Sequence, residues 1–185
     1  MMIKILNKMN KNKRIVLPST IIPSKYRLSL IPNMTDFTYS GKVIVDLHAK
    51  QPVNQIKLHS ADLEFKNVEF SQSDHNKKID VSKISFDSAE ETAEIPTTVS
   101  QGDGTLKIEF SGLINDQMKG FYRSTFKDAT GKSRVVGCTQ FEPIDARRAF
   151  PCWDEPVHKA KFDVDITVPQ KYLVLSNMEG FFNAI

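Results

Sequence analysis

At 185 residues, with 40% hydrophobic and 25% charged residues, the chain holds enough material for one domain with a real core and has an ordinary globular composition. The formal net charge of +3 is too small to point to nucleic acid, and its sign comes from Lys4, Lys8, Lys11, Lys13 and Arg14, without which the balance is −2. No stretch approaches the roughly 18 consecutive apolar residues of a membrane span.

Residues 1–16 read as a disordered basic extension. The apolar run at Met1–Ile3 is interrupted by Lys4, which argues against a secretory signal, and the absence of Ser with a single Arg argues against a mitochondrial presequence. From Leu17 to Met178 the hydrophobic period is two and no domain boundary is visible, so residues 17–178 are expected to form one β domain. Tyr26, Leu28 and Leu30 alternate with Lys25, Arg27 and Ser29, and Val43, Val45 and Leu47 with Lys42, Ile44 and Asp46. Ile56 and Leu58 follow the same rule. Leu63, Phe65, Val68 and Phe70 predict a strand broken by a bulge near Lys66-Asn67. Val81, Ile84 and Phe86 predict another, slightly out of step. Leu106, Ile108 and Phe110, then Val135–Thr139, then Phe162, Val164, Ile166 and Val168, complete the series, with one more strand predicted at Tyr172–Asn177. Each run reads as a half-buried antiparallel strand. Ile31-Pro32-Asn33, Tyr39-Ser40-Gly41, Gln51-Pro52 and Ser73–Asn76 supply turns between them, and Gln101-Gly102-Asp103-Gly104 reads as a hairpin turn. Only Ile144–Phe150, between Pro143 and Pro151, looks helical. The fold class is therefore all-β, a sandwich or saddle-shaped sheet pair with one short helix. Residues 179–185, with Phe181, Phe182 and Ile185, read as a divergent tail.

Little in the chain fits familiar catalytic chemistry. His48, His59, His75 and His158 open no H-E-x-x-H pattern and form no i, i+4 pair, so they read as surface or structural histidines. There is no G-x-S-x-G and no glycine-rich phosphate loop. Cys138 and Cys152 are too few for a disulfide scaffold and fit no zinc knuckle. Two reduced thiols point to the cytoplasm.

The information is concentrated in Thr139-Gln140-Phe141-Glu142-Pro143-Ile144-Asp145-Ala146-Arg147-Arg148-Ala149-Phe150-Pro151-Cys152-Trp153-Asp154-Glu155-Pro156. Such a mixture of charge with Phe, Trp and Pro suits a structured turn that presents polar groups at a binding surface. Two readings of its carboxylates stand side by side. Glu142, held at a strand-to-helix corner, has the charge to bind the α-ammonium of a peptide, with Gln140 on the same strand face. Alternatively Glu142, Asp145, Asp154 and Glu155 all form salt bridges with Arg147, Arg148 and Lys159.

This stretch, followed by Lys159-Ala160-Lys161-Phe162, closely resembles the N-terminal domain of the gluzincin zinc aminopeptidases, and within that family the puromycin-sensitive kind. Leu17-Pro18, Ile22-Pro23, Tyr26-Arg27-Leu28, Tyr39-Ser40-Gly41-Lys42-Val43 and Met118-Lys119-Gly120-Phe121-Tyr122-Arg123-Ser124 share the likeness. The resemblance implies a saddle-like, mostly antiparallel β domain that packs on a thermolysin-like catalytic domain and closes one side of its active site. It assigns substrate binding to Glu142, which would help anchor the free amine, and to Gln140, which would line the pocket for the first side chain. Arg147, Arg148, Trp153 and Asp154 would hold the corner and the interface. The family's H-E-x-x-H, distal Glu and G-A-M-E-N do not occur in this sequence. No catalytic residue and no metal ligand is therefore expected here, and zinc is expected only in the complete family enzyme. The expected function is substrate anchoring for a metalloaminopeptidase, inactive as this chain alone, with peptide N-termini as partners once a catalytic domain completes it. A non-enzymatic peptide-binding or decoy module, or an inert truncated fragment, are the alternatives.

Overall fold

Alternate apolar side chains in the first long run turn to one side of an extended segment, and the chain builds outward from it. The computed structural model describes residues 16–180, and the expectations for the rest of the basic extension and for the last five residues lie outside them. Among the described residues eleven strands are formed: β1 (Ile21–Asn33), β2 (Thr38–Ala49), β3 (Val53–His59), β4 (Leu63–Gln72), β5 (His75–Ile79), β6 (Ser85–Asp87), β7 (Thr92–Val99), β8 (Gly102–Leu113), β9 (Gly120–Lys127), β10 (Ser133–Gln140) and β11 (Lys161–Ile166). They make a six-stranded sheet in the order β11-β1-β2-β8-β4-β5, a three-stranded sheet β3-β7-β6 and a separate β9-β10 hairpin. The fold is an all-β sandwich.

One buried cluster joins the two larger sheets. Tyr26, Leu28 and Leu30 of β1, Val43, Val45 and Leu47 of β2, and Leu106, Ile108 and Phe110 of β8 share it with Ile56 and Leu58 of β3 and Ala93, Ile95 and Val99 of β7. Removal of these side chains from water is the main force holding the sheets together. Gly41 lies opposite Phe110 across the β2–β8 ladder. A Cβ at Gly41 would lie 2.4 Å from the Phe110 ring, so the ring occupies the space that only glycine leaves.

β8 enters between β2 and β4, although seven strands precede it in the chain. Its approach, through Ser100-Gln101, is a crossing from the three-stranded to the six-stranded sheet rather than the expected hairpin turn. The β7 and β8 strands never pair with each other. Gln72 clamps the crossing: its side-chain amide donates to the Ser100 carbonyl at 2.9 Å and its side-chain oxygen accepts from the Ser100 N–H at 2.8 Å.

The bulge predicted at Lys66-Asn67 is present as a register shift between Phe65 and Asn67. Other expectations need correction. Val81–Lys83 is a 3-10 turn, with the Asp80 carboxylate accepting from the Ser82 N–H at 3.1 Å, and only Ser85–Asp87 continues as strand. An Asp that caps a turn in this way competes with the ladder. β7, not among the predicted strands, carries Pro96; between the Val53–Val99 and Gln55–Pro96 pairs β7 spends one residue more than β3, a bulge at Thr97-Thr98 beside the proline. The short helix is a single 3-10 turn at Ala146–Arg148, because seven residues between prolines cannot nucleate and propagate an α-helix. β11 runs parallel to β1, not antiparallel, and all six of its residues are exposed. It lies at the outer edge of the large sheet. Tyr172–Asn177 forms no strand; the segment is irregular, and Leu173 and Leu175 are exposed.

Candidate functional site: a charged corner after strand β10

β10 ends at Gln140, whose strand partner is Gly120. Gly120 has φ +63°, and a Cβ there would lie 2.7 Å from Cβ of Arg148, so the turn after β10 and the start of β9 approach through glycine. Beyond Gln140 the chain turns: the Asp145 N–H donates to the Phe141 carbonyl at 2.8 Å. The Glu142–Pro143 peptide is cis. The Phe141 ring meets Phe150 edge-on at 5.8 Å, and Phe150 in turn contacts Tyr26 at 6.3 Å, which ties the turn to the core.

Three separate stretches then interlock. The His59 N–H donates to the Cys152 carbonyl at 2.8 Å and the Cys152 N–H to the His59 carbonyl at 3.1 Å. The Ser60 N–H donates to the Glu91 carbonyl at 2.9 Å and the Ala61 N–H to the Arg147 carbonyl at 3.0 Å. Three consecutive residues at the end of β3 therefore bond three different segments of the corner. Tyr39 reinforces it from β2, its hydroxyl donating toward the Arg148 and Ala149 carbonyls at 3.1 and 2.9 Å. The Trp153 N–H donates to the Tyr26 hydroxyl at 3.2 Å. Burial pushes the Tyr26 and Tyr39 hydroxyls and the Cys152 thiol well up, so all three stay protonated.

The two arginines are held by carboxylates from both sides. Arg147, 7% exposed, places Nε 3.0 Å from Oδ2 of Asp154 and Nη1 3.4 Å from Oε2 of Glu91. Arg148 donates from Nε to Asp145 at 3.0 Å and from its two terminal nitrogens to Asp62 and Glu91. Glu91 therefore bridges both guanidinium groups. The Asp154 N–H donates to Nδ1 of His59 at 3.1 Å, which requires that nitrogen to be unprotonated. Burial, then the charges of Arg147, His158 and Lys57, push His59 down to about 4. Glu155 accepts from the Leu17 N–H at 2.8 Å and lies 3.8 Å from Nε2 of His158.

These distances sort the four carboxylates of the motif. Asp145 pairs with Arg148, Asp154 with Arg147, and Glu155 with Leu17 and His158. Glu142 is exposed, and among the described residues its carboxylate makes no ion pair. Gln140 stands beside it, its side-chain amide 3.3 Å from the Glu142 carbonyl oxygen. Next to this pair Phe141 and Ile144 are partly exposed. The structure thus brings Gln140 and Glu142 together at the surface, while Arg147 and Trp153 are buried and Arg148 and Asp154 half-buried in the corner. Sequence reasoning missed Glu91 and Asp62. They lie 57 and 86 residues from Arg148 in the chain, on turns with positive φ, and no local pattern marks them. Among the described residues no group of three His, Cys, Asp or Glu side chains is placed to hold a metal ion. The corner therefore does not fit zinc, and no reaction step is routed through one. No helix among the described residues is long and apolar enough to cross a membrane.

Residues 22–181 match the family described as the peptidase M1 N-terminal domain. Over 166 residues the chain is 39% identical to aminopeptidase M1 of Arabidopsis thaliana, covering 88% of this chain and 19% of that one. It is 36% identical over 167 residues to the puromycin-sensitive aminopeptidase of Caenorhabditis elegans, covering 88% and 17%. Aminopeptidase 2 of Candida albicans is 35% identical over 173 residues, covering 90% and 18%. The chain spans less than a fifth of the length of these relatives.

Proposed function

Because this chain belongs to the M1 peptidases through their N-terminal domain, we propose that its Gln140–Glu142 corner anchors the free amino terminus of a peptide for a zinc aminopeptidase. The observation that carries this reading is the sorting of the carboxylates: three of the four are engaged at the corner, and Glu142 stands exposed without a counter-ion among the described residues. A peptide α-ammonium, with a reference pKa near 8, is charged at neutral pH and supplies the missing charge. Gln140 offers a donor and an acceptor to the peptide's first residues, while Phe141 and Ile144 give apolar surface beside it. The corner's ion-pair lattice keeps this pair in place. Orientation is all these residues provide, since no group here activates water, and the chain alone does not cleave. The apolar side chains Phe126 and Val136, which share one face of the adjoining hairpin, suit a surface that packs against a catalytic domain. The unlinked thiols Cys138 and Cys152 favour a reducing compartment, the cytoplasm.

The test is an NMR titration of the chain with a tripeptide carrying a free or an acetylated amino terminus. The free peptide should shift the Gln140–Glu142 signals and bind about 3- to 10-fold more tightly than the acetylated one, the modest size reflecting an exposed pair. Glu142→Gln should erase the difference. Equal affinity for the two peptides overturns the proposal. So does release of amino acids by the purified chain supplied with zinc.

A further inference from the structure

A carboxylate stands where the backbone favours glycine. Glu91, the residue before β7, has φ +54°, a left-handed conformation that a long side chain rarely adopts. The Ser60 N–H holds its carbonyl at 2.9 Å, which fixes this turn to the end of β3. Backbone strain of this kind persists where the surrounding contacts over-determine it. Here the side chain reaches between Arg147 and Arg148, and among the described residues it alone bonds both guanidinium groups.

Arg148 leads from Glu91 to the exposed pair. Its Cβ lies 2.7 Å from where a Cβ on Gly120 would be, and the Asp145 carbonyl oxygen lies 3.1 Å from the same point. Gly120, Asp145 and Arg148 are therefore packed against one another. Gly120 is the ladder partner of Gln140, where β10 ends. Asp145 accepts from Nε of Arg148 at 3.0 Å and donates its own N–H to the Phe141 carbonyl at 2.8 Å, which closes the turn. Arg148 thus grips the Gln140–Glu142 segment twice, through Gly120 at the strand end and through Asp145 at the turn end. Its terminal nitrogens are held by Glu91, ahead of β7 in the three-stranded sheet, and by Asp62, ahead of β4 in the six-stranded one. The Asp62 side chain is 76% exposed and that of Glu91 22%. The less solvated pair is the less screened, so Glu91 is the firmer of the two holds. Building on the amine-anchoring reading above, we propose that Glu91 is the positioning residue of this corner: through Arg148 it keeps Gln140 and Glu142 in the geometry that receives the free amine of a peptide.

Glu91→Gly deletes the carboxylate and relieves the left-handed backbone, so the chain should stay folded. Glu91→Asn, a side chain tolerated at that φ, breaks the same link and serves if the glycine form folds poorly. Glu90→Gln is the control, removing the same charge from the adjacent residue, which pairs with Lys57 at 2.8 Å. The backbone amide order parameters of Phe141 and Glu142, measured by NMR on the full chain without peptide, should fall from about 0.85 toward about 0.6 in Glu91→Gly and hold in Glu90→Gln. The preference for a free over an acetylated tripeptide, about 3- to 10-fold in wild type, should drop below about twofold in Glu91→Gly and persist in Glu90→Gln. Partial unfolding would weaken both peptides by the same factor and leave that ratio alone, so the ratio separates positioning from mere destabilisation. Unchanged order parameters, or a preference that survives in both Glu91 variants, overturn the role of Glu91 and leave the amine reading standing. A preference lost equally in Glu90→Gln also overturns it, because charge alone would then be the cause. A wild-type chain that does not distinguish the two peptides refutes the amine reading, and the role of Glu91 falls with it.

Discussion

Asp154→Asn removes one negative charge from the corner and keeps the shape of the side chain. Arg147 is almost fully buried, and Asp154 is its nearest counter-charge, at 3.0 Å from Nε and 3.3 Å from its backbone N–H. After the substitution the only carboxylate left on Arg147 among the described residues is Glu91, at 3.4 Å and shared with Arg148. Breaking a buried ion pair from one side costs about 3–5 kcal/mol. Because Glu91 remains, the expected loss is about 3 kcal/mol. For a domain of this size that corresponds to a fall in Tm of roughly 6–12 °C. Trp153, the chain's only tryptophan, is 3% exposed inside the same corner and reports unfolding directly. Urea denaturation followed by its fluorescence should show a lower midpoint with an unchanged slope. In an Arg147→Met background the same Asp154→Asn change should cost less than about 1 kcal/mol, because the charge it strands is gone. The exposed pair Lys66–Glu64 provides the control, and Glu64→Gln should leave the midpoint within error. A loss below about 1 kcal/mol for Asp154→Asn, or equal losses in both backgrounds, refutes the account of the corner as a coupled ionic lattice.

Stability should depend on pH through His59. Its folded pKa of about 4 lies below the ordinary 6.5, so the unfolded chain binds the proton more readily; stability is full above about 6.5 and falls as pH drops toward 4. Urea midpoints measured from pH 7.5 to 4 should trace this decline, and His59→Asn, which keeps an acceptor for the Asp154 N–H, should flatten it unless the depressed His158 dominates. Gly41→Ala drives a methyl into the Phe110 ring and should cost about 1–3 kcal/mol in the same assay. Gly41→Ala combined with Phe110→Leu should recover part of that loss, and additive losses would show that the ring is not the obstacle.

The strands that were legible in the sequence are those with one face in the core. Tyr26-Leu28-Leu30 and Val43-Val45-Leu47 alternate because one side of each strand meets apolar neighbours and the other meets water. The same alternation misleads at β11. Phe162, Val164 and Ile166 carry the pattern of a half-buried strand and are exposed. The pattern records which face is apolar, not whether anything among the described residues covers it. Pro96 hid β7, since a proline in a run argues against a strand and the bulge beside it at Thr97-Thr98 shows only in the pairing with β3. At the candidate site the motif identified Glu142, Gln140 and the two arginines because they are close in sequence. Glu91 and Asp62, which hold those arginines, come from distant turns and carry no mark of their own. What distinguishes Glu142 from Asp145 and Asp154 is the presence or absence of a partner, and that is a property of the assembled corner.

The late arrival of β8 between β2 and β4 has a consequence for how the chain reaches its fold. β1 with β2, and β4 with β5, are hairpins of neighbouring residues and close short loops. Neither belongs to the same sheet as the other until β8 joins them, pairing Ala49 with Gly102 and Leu63 with Gly112. A chain emerging in order must therefore keep two open apolar half-sheets waiting through dozens of residues of synthesis. Non-local pairing of this kind places folding in the range of about milliseconds to seconds. During that wait the bare edges of β2 and β4 are its points of greatest exposure to misassembly.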